Sequence, residues 1–259
     1  MKISIITVCF NSEKTIAQTI ESVLSQNSVS LEYIIIDGLS TDNTLKIIES
    51  YQSRFNDKGI IYKWISEKDN GIYDAMNKGI NMATGDIIGI LNSDDRYTDG
   101  NVLHKVFDIF TNNEIDCCFG NILYIKGNKP YRYWKAGKPR TFKYGWMPPH
   151  PAFFVKKSIY EKYGLFRLDC GVNADYELML RFLEKYNIRS TWINKIFVYM
   201  NAGGKSNNGV KSRLDGIIDD KKAWMVNKMK PLFFTIFLKK IRKLPQYIYA
   251  YFIHINLSE

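Results

Sequence analysis

Two carboxylates, Asp94 and Asp95, stand side by side where an apolar run ends in DIIGILNSDD. Adjacent acids repel unless a cation lies near them, and Mg2+ or Mn2+ is commonly held by one or two protein carboxylates, with phosphates and water completing the shell. A solvated turn with helix-capping acids uses the same letters, but the position at a strand end favours the ligand role. Asp37 closes another apolar run and enters DGLSTDNT. Gly38 permits a tight turn there, and Ser40 and Asp42 can cap the next helix. Asp37 either accepts hydrogen bonds from a nucleoside or simply closes that turn. Asp175, in NADYELMLR, precedes Leu178 and Met179 by three and four residues, on the inward side of a helix start. It can take a proton from a substrate or stabilise the helix N-terminus.

The elements that must position these acids follow from periodicity. Ile3 to Val8, Glu32 to Asp37, Ile60 to Ile65 and Asp86 to Leu91 read as strands, nearly continuous in apolar residues, as in sheets covered on both faces. Between them, Ser12 to Gln26, Thr41 to Ser53 and Ile72 to Met82 carry helical spacing, with Ser12 and Ser40 as natural caps of the first two. This alternation predicts an open α/β fold with a mostly parallel sheet, whose ligands bind at the carboxyl ends of the strands. Thr7, Asn11, Asp37, Asp94 and Asp95 all fall there. Further on, Val102 to Phe110 and Asn173 to Tyr186 read as helices, and 118–125, 131–134, 190–193 and 197–201 as strands. Lys135 to Pro149, rich in Gly, Pro, aromatics and cations, reads as an acceptor-binding loop rather than core.

Composition narrows the classes. With 259 residues, 46% hydrophobic and 24% charged, the chain has material for a packed core and is neither disordered, collagen-like nor a disulfide scaffold. Cys9, Cys117, Cys118 and Cys170 lack C-x-x-C spacing, which suits buried thiols in a reducing compartment, so a cytoplasmic location is expected. MKISIITVCFN reads as a strand rather than an export signal. Residues 1–130 hold 12 Lys and Arg against 17 Asp and Glu, whereas 131–259 hold 24 against 9. The whole basic excess therefore lies in the second half and calls for a polyanion or a membrane. The first strand lacks the G-x-G-x-x-G of dinucleotide sites. Gly204, Lys205 and Ser206 resemble the end of a P-loop, but Tyr199 stands where its first glycine belongs.

In order, ISIITVCFN, IIIDGLSTDNT, SEKDNGIYDAMNKGI, GDIIGILNSDD, PPHPAFFVKKSIYEKYGLF and NADYELMLR resemble the family 2 glycosyltransferases with the glycosyltransferase-A fold, over about residues 1–200. The flavour is that of bacterial capsule, exopolysaccharide and colanic-acid-type transferases. The QxxRW motif of processive synthases is missing, which points to single-sugar transfer. The resemblance implies that Thr7 and Asp37 contact a nucleoside, usually uridine, with Asn11, Asp69 and Asp94 on the donor side and Asp95 on Mg2+ or Mn2+. It implies Asp175 as the base of an inverting transfer and Lys205 in a loop that closes over the diphosphate. Asn92 stands where many relatives carry another acid. His150 and Trp146 are candidates for acceptor or phosphate contact, although His150 equally suits a stiff turn between prolines.

The expected organisation is a catalytic domain over 1–205, with a nucleotide-binding half 1–100 and an acceptor half 101–205, then a helical extension 206–259. That extension interleaves cations with aromatic and aliphatic residues, which suits either an anionic bilayer or packing on the domain. The expected partners are a UDP-sugar and a lipid-linked or saccharide acceptor, with a peripheral contact to the inner membrane face and no nucleic acid. A sugar nucleotidyltransferase fits less well, because the glycine- and arginine-rich loop it needs after the first strand is absent. A non-catalytic membrane- or glycan-binding protein is the remaining alternative.

Overall fold

The computed structural model describes residues 1–27, 30–127, 129–202 and 210–253, the side chains of 210–215 aside. In chain order its elements are β1 (Lys2–Cys9), α1 (Ile16–Leu24), β2 (Ser30–Asp37), α2 (Thr44–Ser50), α3 (Gln52–Asp57), β3 (Ile61–Ser66), α4 (Ile72–Met82), β4 (Ile87–Ile90), β5 (Asp95–Tyr97) and α5 (Val102–Asn112). They continue as β6 (Cys117–Lys126), β7 (Lys129–Trp134), β8 (Phe153–Lys156), α6 (Lys157–Tyr163), α7 (Ala174–Leu180), β9 (Ser190–Asn201), α8 (Val210–Val226), α9 (Thr235–Ile241) and α10 (Leu244–Tyr251).

The strands form one sheet in the order β3-β2-β1-β4-β8-β6-β9-β5, with β7 paired to β6. The β3-β2-β1-β4 half is wholly parallel. Beyond it β8 runs antiparallel to both β4 and β6, and β9 returns parallel to β6. Because successive residues of a strand face opposite ways, β1 supplies two cores. Ile3, Ile5 and Cys9 pack with α1, α2, α3 and α5, while Ile6 and Val8 pack with α4, α6 and α7. The near-continuous apolar runs are thus explained, and the open α/β architecture is as expected.

Three local expectations differ. The helix over Thr41 to Ser53 divides at Tyr51 into α2 and α3, where Tyr51 is buried and its phenol donates to Glu21 (2.9 Å). Ser40 does not cap α2: it turns back to Asp37, and Asp42 accepts the Thr44 amide instead (3.0 Å). The segment Lys135 to Pro149 is not a wholly exposed loop, because Phe142 is fully buried and Trp146 packs against both it and Phe119.

The helices beyond 205 lie against the rest of the chain. Trp224 of α8 is fully buried and its indole N–H donates to the Tyr176 hydroxyl (2.9 Å). α9 approaches Gly145 closely, and a Cβ there would collide with the backbone of Leu238 and Lys239. All four cysteines are buried and free. No helix among the described residues is long and apolar enough to cross a membrane.

Candidate active site

The carboxyl ends of β1, β2 and β4 lie side by side, since Cys9 is in register with Asp37 and Ile6 with Ile90. Asp37 is fully buried. One of its oxygens accepts the Ser40 amide (2.9 Å) and the Ser66 hydroxyl (2.7 Å), and the other accepts the Ser40 hydroxyl and the Cys9 thiol (3.5 Å). This is the turn-closing arrangement, so a nucleoside N–H would have to replace one of these serine donors. Burial, reinforced by the Asp37 charge, pushes the Cys9 thiol up and keeps it protonated.

Thr7 departs from the expected nucleoside contact. Its side chain is fully buried and its hydroxyl accepts the Tyr33 phenol (3.0 Å), so the side chain presents no open face to a ligand in this structure. Asn11 is exposed with φ +49°, and its side-chain oxygen accepts the Thr41 amide (2.8 Å) while its own amide donates to Ser40 (2.8 Å). It ties the loops after β1 and β2 together. Asp69 is half-buried and comes to the same turn. One oxygen accepts the Gly71 amide (2.8 Å), and the other lies where a Cβ on Gly38 would approach to 2.6 Å.

Asp95 begins β5, which pairs with β9 and so pins its backbone. The side chain is 1% exposed. One carboxylate oxygen accepts the Asn92 amide (3.0 Å), while the other, and the Asn92 side-chain oxygen, have no hydrogen-bond partner. Burial, and then the adjacent Asp94 charge, raise the Asp95 carboxyl well above the ordinary range. Burial raises half-buried Asp94 as well. An orphaned buried carboxylate beside an orphaned amide oxygen gains from a hard cation, so these residues fit Mg2+ or Mn2+. Among the described residues no cluster of three or more His, Cys, Asp or Glu could enclose a metal alone. Such a site depends on phosphates to complete it.

Asp175 sits half-buried in the first turn of α7, where it accepts the amide of Tyr176 (2.7 Å) and faces the Tyr73 hydroxyl (3.2 Å). That hydroxyl also lies 2.9 Å from the Val172 carbonyl. Tyr73 occupies the first turn of α4, directly after the Asp69 loop, so one helix start links Asp69 to Asp175. α4 is fixed in turn by Asn77, which exchanges hydrogen bonds with both backbone groups of Phe166 (2.9 Å each). Phe166 stacks near Tyr73 and meets His150 edge-on (5.5 Å). Burial lowers the His150 imidazole, with the Asp175 charge opposing, which leaves it neutral at neutral pH. The Tyr124 phenol feels charge from both acidic centres. Its proton is held by burial, loosened by Arg132, and tightened by the charges of both Asp95 and Asp175.

Trp146 lies in the core rather than on an open face. It is 4% exposed, and its N–H donates to the Ala136 carbonyl (2.8 Å), so its hydrogen-bonding capacity is used in the core. Lys205 lies outside the described residues. Tyr73, Tyr124 and Arg132 escaped the sequence reading. Only Tyr73 carried a signal, as part of the SEKDNGIYDAMNKGI motif. Two clefts elsewhere hold none of the acids. The larger is lined by Glu21, Leu24, Arg54 and Lys58, where Arg54 already pairs with Glu21 and Lys58 with the Leu24 carbonyl. The other is lined by Arg140, Trp146 and Glu184, and Glu184 is taken by Thr141 and the Phe142 amide.

Residues 4–168 match the family model described as glycosyl transferase family 2, and the chain belongs to that family. It is a glycosyltransferase that moves sugar from a nucleotide sugar. An uncharacterised glycosyltransferase of Mycobacterium tuberculosis is 32% identical over 191 residues, covering 69% of this chain and 68% of that protein. A PGL/p-HBAD biosynthesis glycosyltransferase of Mycobacterium bovis is 26% identical over 206 residues, 79% and 78% of the two chains. In fold, the chain resembles Staphylococcus aureus TarS 1–349 (TM-score 0.69, 18% identity, 97% of this chain and 72% of that one). It also resembles the mannosyltransferase PcManGT of Pyrobaculum calidifontis, solved with GDP-Man and Mn2+ (TM-score 0.65, 15% identity, 96% and 73%). The glycosyltransferase-A expectation is thereby met.

Proposed function

We propose that the chain transfers a single hexosyl or N-acetylhexosaminyl group, with inversion, from a UDP-sugar to a lipid-linked or saccharide acceptor in bacterial surface polysaccharide biosynthesis. It would work in the cytoplasm, peripherally on the inner membrane face. The observation that carries this reading is buried Asp95, with one unpartnered carboxylate oxygen beside the unpartnered Asn92 oxygen at the end of β4. TarS solved with UDP-GlcNAc and PcManGT solved with Mn2+ support the donor and the metal.

Asp95, with the Asn92 oxygen beside it, holds Mg2+ or Mn2+, and Asp94 stands on the donor side. Bound there, the cation supplies charge neutralisation for the departing diphosphate. Asp69 and Asn11 shape the donor side around the Asp37 turn. Asp175 takes the acceptor hydroxyl's proton as that oxygen attacks the anomeric carbon opposite the leaving group. Tyr73 and the Tyr176 amide hold the Asp175 oxygen in place. His150, neutral and wedged against Phe166, shapes the wall behind Asp175 without adding charge.

Calorimetric titration with UDP, with and without Mn2+, tests the reading on the wild type and on Asp95→Asn. The wild type is expected to bind UDP more tightly with Mn2+, and the variant to lose that gain while unfolding at an equal or higher temperature, since a buried carboxylate is relieved. Equal UDP affinity with and without the metal in the wild type would refute it. Hydrolysis of UDP-glucose, UDP-galactose and their N-acetyl forms then selects the donor.

A further inference from the structure

Arg132 is a buried cation without an acidic partner among the described residues. It is 9% exposed, and its Nε donates to the neutral Gln246 side chain (2.7 Å). Its guanidinium carbon lies 4.2 Å from the Tyr124 ring centre and 5.4 Å from that of Trp134. A guanidinium cannot shed its proton as a buried lysine can. Stacking on aromatic faces offsets part of its lost hydration, but its remaining donors still need an anion.

Two more cations come to the same place from the C-terminal helices. Lys239 lies over the Tyr176 ring (3.6 Å) and pairs with Asp220 (2.6 Å), which also accepts the Asn173 amide (2.9 Å). Lys243, one turn further along, has no ion pair among the described residues. Its backbone carbonyl accepts the Gln246 amide (3.3 Å), and the Gln246 side chain accepts from Arg132, which brings the two cations to one turn of α10. Among the described residues only Lys239 of the three cations is ion-paired, with Asp220, while Arg132 lies over the Tyr124 ring.

We infer that Arg132, Lys239 and Lys243 form an anion site on the Asp175 side of the active centre that binds a phosphate or diphosphate carried by the acceptor. Guanidinium and ammonium groups recognise phosphate by charge-assisted hydrogen bonds. The excess positive charge stands across from the acids, where an acceptor enters under the assignment of Asp175 as base, and the inference rests on that assignment. The outer side of α9 and α10 indicates what carries the phosphate. Phe237, Leu244, Ile248 and Tyr251 are 66%, 65%, 65% and 84% exposed, flanking the cations with an apolar surface. A phosphate linked to a hydrocarbon chain meets both features at once.

Titration of the full chain with inorganic pyrophosphate and with farnesyl diphosphate, each with and without saturating UDP and Mn2+, tests the site. Both anions are expected to bind, farnesyl diphosphate about tenfold or more tightly, because its chain covers part of the apolar face. Binding of each should persist when saturating UDP and Mn2+ fill the donor site. Arg132→Gln and Lys243→Gln should each weaken both anions about tenfold, as loss of a charge-assisted hydrogen bond implies, while leaving UDP affinity unchanged. Lys243 is exposed, so its variant keeps the test valid should Arg132→Gln fold poorly. Absence of anion binding, wild-type affinity in Lys243→Gln, or complete displacement by UDP would each overturn the site. Equal affinity for the two anions would overturn its lipid character. A chain that binds these diphosphates but not UDP would refute the donor reading and leave the anion site standing.

Discussion

Glu32 in β2 gives the parallel half of the sheet a pH-dependent clasp. Its fully buried carboxylate accepts the Ser4 hydroxyl from β1, the Lys63 ammonium from β3 (2.9 Å), and the amide (2.7 Å) and hydroxyl (2.9 Å) of Thr84 before β4. Burial alone would raise the carboxyl, but hydrogen bonds from Ser4, the Thr84 amide, Lys63 and the Thr84 hydroxyl outweigh it and hold the group at about 2. Set against the ordinary 4.5, that difference contributes on the order of 3 kcal/mol at neutral pH. Because the folded value is the lower one, the contribution is complete above pH 4.5, erodes as pH falls, and is nearly gone at pH 2. In Glu32→Gln, the amide oxygen can still accept from Ser4 and the Thr84 amide. Its NH2 then faces Lys63, which is 40% exposed and can turn to water, and Thr84, whose hydroxyl can accept instead. The variant should therefore lose about 2–3 kcal/mol at pH 7. Urea denaturation at pH 7 and pH 3 reads the effect, and the gap between wild type and variant should shrink by more than half at the lower pH. Equal midpoints at pH 7, or a gap that persists in acid, would refute the clasp.

Asp175→Asn keeps an oxygen for the Tyr176 amide and the Tyr73 hydroxyl, so its melting temperature should stay close to wild type while turnover falls about 10²–10⁴-fold; UDP release under saturating donor and acceptor measures it. Arg181→Ala removes the partner of fully buried Glu177 together with the donors that hold the Tyr163 and Leu165 carbonyls. It should cost about 3–5 kcal/mol in denaturant titration, and a loss below about 1 kcal/mol would show that the pair is not structural.

Strands β1, β2 and β4 of the parallel half were legible because each is buried on both faces. ISIITV, YIII and DIIGIL leave no polar side to mask the run, and their ends mark where the acids belong. Legibility faded wherever a residue's role depended on a partner distant in sequence. Trp146 and Phe142 sit among Gly, Pro and cations, which reads as surface, yet Phe119 and Tyr176 from other elements bury them. The contact of Tyr73 with Asp175 spans 102 residues, beyond the reach of any periodicity. The acids themselves show both regimes. Asp94 and Asp95 declared themselves by adjacency at a strand end, whereas the orphaned Asp95 oxygen arises only because β9 closes over β5. Arg132 is the converse case. In PYRYW it looks like an ordinary edge-strand cation, and only the return of α10 through Gln246 and Tyr247 removes it from water. The C-terminal helices thus do more than cover the domain: they turn a surface arginine into a desolvated one held between Gln246 and the Tyr124 ring, and so tie their own docking to the burial of a charge.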